Sequence, residues 1–358
     1  PSVAVALGDL DGDGDLDAMI GNQNHPTTAG FHDGNGLFTD SGQELGDSSS
    51  RSVALGDLDG DGDLDAVVAN YNRPNTAWTN DGTVSFTLAF QQSPENARTS
   101  NSVALGDLDG DGDLDAVFAN YGQPDTVLRN VNFGRTFGLF VESSLESGPR
   151  PSVAVALGDL DGDGDLDAMI GNQNQPSTAW FNDGTGSFTL GFEQPVKEVR
   201  SCASIALGDL DGDGDLDVLS ANYNQPNTVW INDGTGMYSD SGQELGDDQS
   251  YSVALGDLDG DGDADAMFGN IGNRPDTVWI NEQRSGTLYL VQQTGVFDVI
   301  DRLRTENEQM RSDIEQLQDI VAVCCTRGDC PADLNRDGEI DGADLAMVLS
   351  AWGVPCDE

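Results

Sequence analysis

The chain has 358 residues, with 64 Asp and Glu against 15 Lys and Arg, for a formal net charge of −49. So acidic a balance excludes nucleic acid and anionic membrane surfaces as partners by plain repulsion. At 37% hydrophobic and 7% aromatic residues, however, the chain carries too much core-forming material to be a merely solvating acidic segment. Bound cations are the expected neutralisers. No apolar run is long enough to span a membrane, and no basic stretch leads into an apolar one, so the sequence reads as a mature chain or a fragment.

From the N-terminus onward, the string Gly-Asp-Leu-Asp-Gly-Asp-Gly-Asp recurs six times, its first Asp falling at Asp9, Asp57, Asp107, Asp159, Asp209 and Asp257. Residues 1–24 and 151–174 are identical, which marks duplication of whole units. Each unit keeps one order. A short apolar stretch such as Ser52 to Leu55 enters the acidic loop, and a β-prone run such as Ala66 to Asn70 leaves it. A Pro-containing turn, a segment ending in Asn-Asp-Gly and a further run such as Ser85 to Phe90 complete the unit. Four short strands per unit, punctuated by Gly, Pro and Asn and without a helical period, predict an all-β fold. The expected architecture over residues 1–293 is a β-propeller of four-stranded blades, with a β-solenoid as the rival.

The acidic loops carry the chemistry. The first holds Asp9, Asp11, Asp13, Asp15 and Asp17, and the second Asp57, Asp59, Asp61, Asp63 and Asp65. The third holds Asp107, Asp109, Asp111, Asp113 and Asp115, and the fourth Asp159, Asp161, Asp163, Asp165 and Asp167. Asp209, Asp211, Asp213, Asp215 and Asp217 make the fifth; Asp257, Asp259, Asp261, Asp263 and Asp265 make the sixth. Side-chain oxygens thus stand at positions 1, 3, 5 and 9, a Gly at position 6 permits the turn, and position 7 can offer its backbone carbonyl. Oxygen donors without His or Cys exclude zinc and copper, and the number of donors favours calcium over magnesium. Two carboxylates ~4 Å apart repel by roughly 4 kcal/mol at an effective dielectric of ~20, so a loop of this kind demands a counter-ion. Position 12, acidic in an EF-hand, is Ile20, Val68, Phe118, Ile170, Ser220 or Phe268. The loops are therefore expected to join strands, not helices.

The pattern Asp-x-Asp-x-Asp-Gly-x-x-Asp between strands, with a downstream segment such as Asn182 to Phe188, resembles the FG-GAP or VCBS repeats of integrin α-like propellers and bacterial surface proteins. The resemblance implies calcium held by the side chains at positions 1, 3, 5 and 9 and the carbonyl at position 7, and all six copies match. It also implies cell adhesion outside the cell. Integrin-type propellers have seven blades, which leaves a six-bladed ring and part of a seven-bladed one as alternatives.

After the last repeat, Val296, Ile300, Leu303, Asn307, Met310, Ile314, Leu317, Val321 and Cys324 alternate at spacings of four and three. This predicts a coiled-coil stalk over 294–325, with Asn307 at a core position and Glu306 and Arg311 placed to pair between chains. The expectation is a homodimer or small homo-oligomer through residues 296–325, the alternative being one amphipathic helix lying on the propeller. Cys324, Cys325, Cys330 and Cys356 cluster here, which favours disulfides and an oxidising compartment. In 326–358, Asp333, Asn335, Asp337, Glu339, Asp341 and Asp344 form a second kind of calcium loop before an apolar helix. It resembles one half of a dockerin, and a Cys330–Cys356 disulfide bracketing it is a candidate staple.

Catalytic parts are missing: His25 and His32 lie outside the repeated framework, and no hydrolytic triad, zinc site or phosphate loop is present. The reading is a secreted or surface-associated binding module, without catalysis, holding about six calcium ions in the propeller and one in the C-terminal loop. A lectin and a polysaccharide-active enzyme such as a lyase are the alternatives. The recurrent Asn-x-x-x-Pro-x-Thr, as at Asn70 to Thr76, is either a Pro-set turn or, with Tyr71, Tyr121 and Tyr223, the rim of a ligand site. Trp78, Trp180, Trp230 and Trp279 hold one equivalent place, where burial between blades is expected.

Overall fold

The structure, a computed structural model, describes residues 2–293 apart from 36, 47–48, 132–139, 146–147, 247–248, 273 and 283–287. The chain divides into two units after Gln293. The predicted stalk, the C-terminal cysteines and the Asp333 to Asp344 loop lie outside the described residues.

Among the described residues are 24 strands and two single-turn 3-10 helices, so the fold is all-β. Every repeat builds four antiparallel strands hydrogen-bonded in chain order. In the second they are Ser50–Gly56, Asp65–Arg73, Thr76–Asn80 and Phe86–Gln91. Gly56 stands opposite Asp65, which makes the acidic loop the connection of a hairpin. The first strands, Ser2–Gly8, Ser50–Gly56, Arg98–Gly106, Arg150–Gly158, Cys202–Gly208 and Ser250–Gly256, pack each against the next. They line one cavity, so the six four-stranded units stand around it as propeller-like blades, the second to fourth joined into one 12-stranded sheet.

Cores lie between blades, not within them. One joins Leu10 and Met19 to Val53 and Val68, and the equivalent next joins Leu58 and Val67 to Val103 and Phe118. Three more follow between the later blades. A sheet buried on both faces reads as a continuous apolar run, and Asp65–Arg73 is buried through its first six residues for that reason. The tryptophans enter these cores as expected: Trp180 and Trp230 are buried, and Trp78 and Trp279 pack against the same clusters from partly buried positions. Close approach depends on the glycine that ends each first strand. A Cβ at Gly56, Gly106 or Gly158 would stand 2.5–2.6 Å from a leucine methyl of the following blade.

The row of blades has two uncovered ends. On the first blade Val5 is 65% and Leu7 58% exposed; on the last, Leu258 is 50% exposed, whereas Leu58, Leu108, Leu160 and Leu210 are buried. Gly256, unlike its equivalents, has nothing within 4 Å of a Cβ. The described blades thus make five covered interfaces and present one further face at each end.

Candidate calcium loops

The position-1 carboxylate organises each loop from inside. Asp57 accepts the Gly60 and Asp61 N–H groups on Oδ1 at 2.7 and 3.2 Å, and the Gly62 N–H on Oδ2 at 3.0 Å. The bend needs a left-handed residue at position 6, and Gly62 supplies it at φ 99°. Gly14, Gly112, Gly164, Gly214 and Gly262 take the same conformation.

Position 9 is the anchor at the other end. Asp65 is fully buried, and accepts the Leu58 N–H on Oδ2 and the Asn80 N–H on Oδ1, both at 2.8 Å. Asp17, Asp115, Asp167, Asp217 and Asp265 repeat the arrangement. Burial pushes Asp65, Asp167 and Asp217 up to about 6 and Asp115 to about 7, against the lowering effect of those N–H bonds. At position 3, Asp11, Asp59, Asp161, Asp211 and Asp259 are also raised, by burial first, with neighbouring carboxylates adding to it. At position 9 the shifts say that negative charge is being held where water does not reach it well, whereas Asp11 and Asp259 stand close to solvent.

In five loops, three of the side-chain positions named from the spacing converge. Asp9, Asp11 and Asp13 bring one oxygen each within 4.8 Å of one another, as do Asp57, Asp59 and Asp61. Asp107, Asp109 and Asp115, then Asp159, Asp161 and Asp167, then Asp209, Asp211 and Asp217 do so using position 9. Two calcium–oxygen bonds of about 2.4 Å span such a separation. Oδ1 of Asp59, Asp109 and Asp211 is buried without a hydrogen-bond partner, whereas its equivalents on Asp11, Asp161 and Asp259 accept the N–H of position 5 at 3.2–3.3 Å. Buried anionic oxygens are paired in stable proteins, and a cation would pair these three. Residues and geometry fit a hard divalent ion, which when bound supplies the positive charge that the loop lacks.

Position 7 is separate. The carboxylates of Asp15, Asp63, Asp165 and Asp215 lie against Gly34, Gly82, Gly184 and Gly234 of the downstream turns, where a Cβ would have no room. The position-7 side chains thus face the downstream turns and not the converging carboxylates. Asp111, Asp163, Asp213 and Asp261 at position 5 accept the N–H of position 7 at 2.9–3.0 Å.

One functional residue escaped the sequence reading. Asn80, Asn130, Asn182, Asn232 and Asn281 donate a side-chain N–H to the carbonyls of Leu10, Leu58, Leu108, Leu160 and Leu210, at 2.7–2.8 Å, inside the loop of the preceding blade. The backbone N–H of the same residue reaches position 9 of its own loop, so one Asn ties two acidic loops together. Its signal was a constant Asn 15 or 16 residues beyond position 9. The first blade carries His32 there instead.

The Asn-x-x-x-Pro-x-Thr element is a turn: the amide groups of Asn70, Asn120, Asn172 and Asn222 donate to the carbonyls of Pro74, Pro124, Pro176 and Pro226 at 2.8–2.9 Å. Tyr71, Tyr121 and Tyr223, each following the Asn, stand instead at the central cavity.

A family model described as an FG-GAP-like repeat matches residues 9–68, 57–118, 107–170, 159–220 and 209–268, each match running from one acidic loop to just beyond the next. Among solved structures, the chain is similar to BBS1N in complex with ARL6DN soaked with lead, at TM-score 0.53, 10% identity and 80% coverage of both chains. The mercury-soaked form of that complex gives TM-score 0.55 at 10% identity, covering 80% of this chain and 81% of that one. At that identity the likeness concerns the fold alone. No curated protein matches the chain in sequence. The five overlapping matches begin on the very loops whose carboxylates converge, and the chain belongs to the FG-GAP-like repeat family.

Proposed function

We propose that this chain is a calcium-stiffened binding propeller of the extracellular space, without catalytic activity, that serves adhesion and is presented as a small oligomer by residues 296–325. The observation that carries the reading is the set of converging carboxylates with orphaned buried oxygens at Asp59, Asp109 and Asp211. Exposed loops of this kind fit the weak, ~10⁻⁴–10⁻³ M calcium sites of extracellular modules, which fill only where calcium is plentiful. The structurally similar BBS1N is seen in complex with ARL6DN, which supports a binding role for the scaffold. Chemistry at the single described cysteine is disfavoured, because burial pushes the Cys202 thiol up to about 12 and keeps it protonated. Weak contacts by single propellers would gain avidity from a shared stalk.

Metal analysis of the purified chain in calcium is the direct test, together with its melting curve and its mass by light scattering. About seven ions per chain are expected, a melting temperature that drops steeply with chelator, and a mass at least twice that of the chain. A chain without stoichiometric calcium, or one whose melting ignores chelator, sinks the metal reading; a monomer sinks the stalk.

A further inference from the structure

The six first strands line an open cavity of about 860 Å³, and its chemistry departs from that of the rest of the molecule. In a chain with 64 acidic residues, no carboxylate is among the described residues that line it. The repeats also stop repeating there. The first strands read Ala or Ser, Val or Ile, Ala, Leu, Gly in every copy, yet the residue just before that run is Val3, Arg51, Asn101, Val153, Ala203 or Tyr251. All six line the cavity. The residue after the turn Asn varies likewise, as Tyr71, Tyr121, Gln173, Tyr223 and Ile271 along the same wall. The first and fourth units are alike there, with Val3 and Val153, so the chemistry of the wall comes from the second, third, fifth and sixth.

The side chains that vary are specific in kind. Tyr121, Tyr223 and Tyr251 are 46%, 36% and 57% exposed, an unusual state for aromatic rings placed around a concavity. Their backbone is held, since Tyr121 pairs with Pro151 and Tyr223 bridges Gln249 of the next blade. Arg51 lies 4.8 Å over the ring of Tyr71, and its buried Nε has no acceptor. By contrast Arg98, Arg129, Arg150 and Arg200 each face a carboxylate at 2.8–3.5 Å. A guanidinium kept from carboxylates in so acidic a protein is available to an incoming one.

The geometry points to a carboxylate-bearing sugar, of the uronate class, as the ligand of this cavity, with Arg51 on the carboxylate and the tyrosine faces on the ring, while Asn101 and Gln173 are engaged with the Ser152 carbonyl and the Tyr121 hydroxyl. Tyrosine rings offer an apolar face and a polar tip, which suits a pyranose. A densely charged polyanion would be repelled by the whole chain, whereas a unit with one carboxylate pays little of that repulsion. This deepens the proposed binding role by naming a ligand class.

The test uses the full chain in calcium, titrated with the monosaccharides galacturonate and glucuronate and with their neutral counterparts galactose and glucose, followed by saturation-transfer NMR and calorimetry. The acidic sugars should bind at least about tenfold more tightly than the neutral ones, the worth of one charge-assisted contact. Arg51→Gln should abolish that preference, Arg51→Lys should keep part of it, and Tyr121→Ala should weaken both classes. No binding of acidic sugars, equal binding of both classes, or a preference that survives Arg51→Gln would overturn the assignment. Calcium content and melting temperature measured on the same samples separate the two readings. A calcium-loaded chain that ignores sugars defeats the cavity proposal alone, and a calcium-free chain that binds them defeats the metal reading alone.

Discussion

Residues 1–24 and 151–174 are the same sequence in two places, and the two places treat it differently. Val155 is 9% exposed and Val5 is 65%. Leu166 packs into the core between the third and fourth blades, while Leu16 is 58% exposed. Met169 and Met19, on the opposite face, are both buried, at 2% and 0%. Local sequence is therefore enough to make the strands and the loop, but the covering of a face comes from whichever blade stands beside it. Among the described residues, the fourth blade has neighbours on both sides, and the first has the one that follows.

Substitution in pairs tests that contrast, read as shifts in denaturant midpoint. Met19→Ala and Met169→Ala should give the largest losses, about 2–5 kcal/mol each and alike, because both faces are covered. A Met19→Ala effect near zero would mean that the first blade is not packed on the second. Asn182→Ala should cost about 1–3 kcal/mol, since it strips the donor from the buried carbonyls of Leu108 and Leu166. His32→Ala should change little by comparison, and an equal loss at both positions would reveal that the first blade also meets a preceding loop. The smallest contrast is Val155→Ala, at about 1.6 kcal/mol for two buried methylene equivalents, against Val5→Ala within about 0.5 kcal/mol. Matching losses there would show that the face of the first blade is covered in solution.

Much of the candidate site was legible in the chain. The alternating aspartates and their glycine act over fewer than a dozen residues, so spacing alone indicated which oxygens could meet, whereas the turning of the position-7 carboxylates to the downstream glycines was not legible there. The asparagine escaped because its amide works across a blade boundary, on carbonyls 70–74 residues away. Tyr71, Tyr121 and Tyr223 were half legible. Their recurrence was visible, but the turn beside them and the cavity in front of them are different things, and only the assembled blades separate the two.

By itself the sequence determined the repeat, the four strands of each unit, the acidic hairpin loops and the burial of the tryptophans, because period-two patterning, turn chemistry and carboxylate spacing are short-range properties. Tertiary structure decided which blade faces are covered and which side chains meet around the cavity. Both depend on the order in which sheets stand beside one another, and identical residues at 1–24 and 151–174 cannot encode two different neighbours.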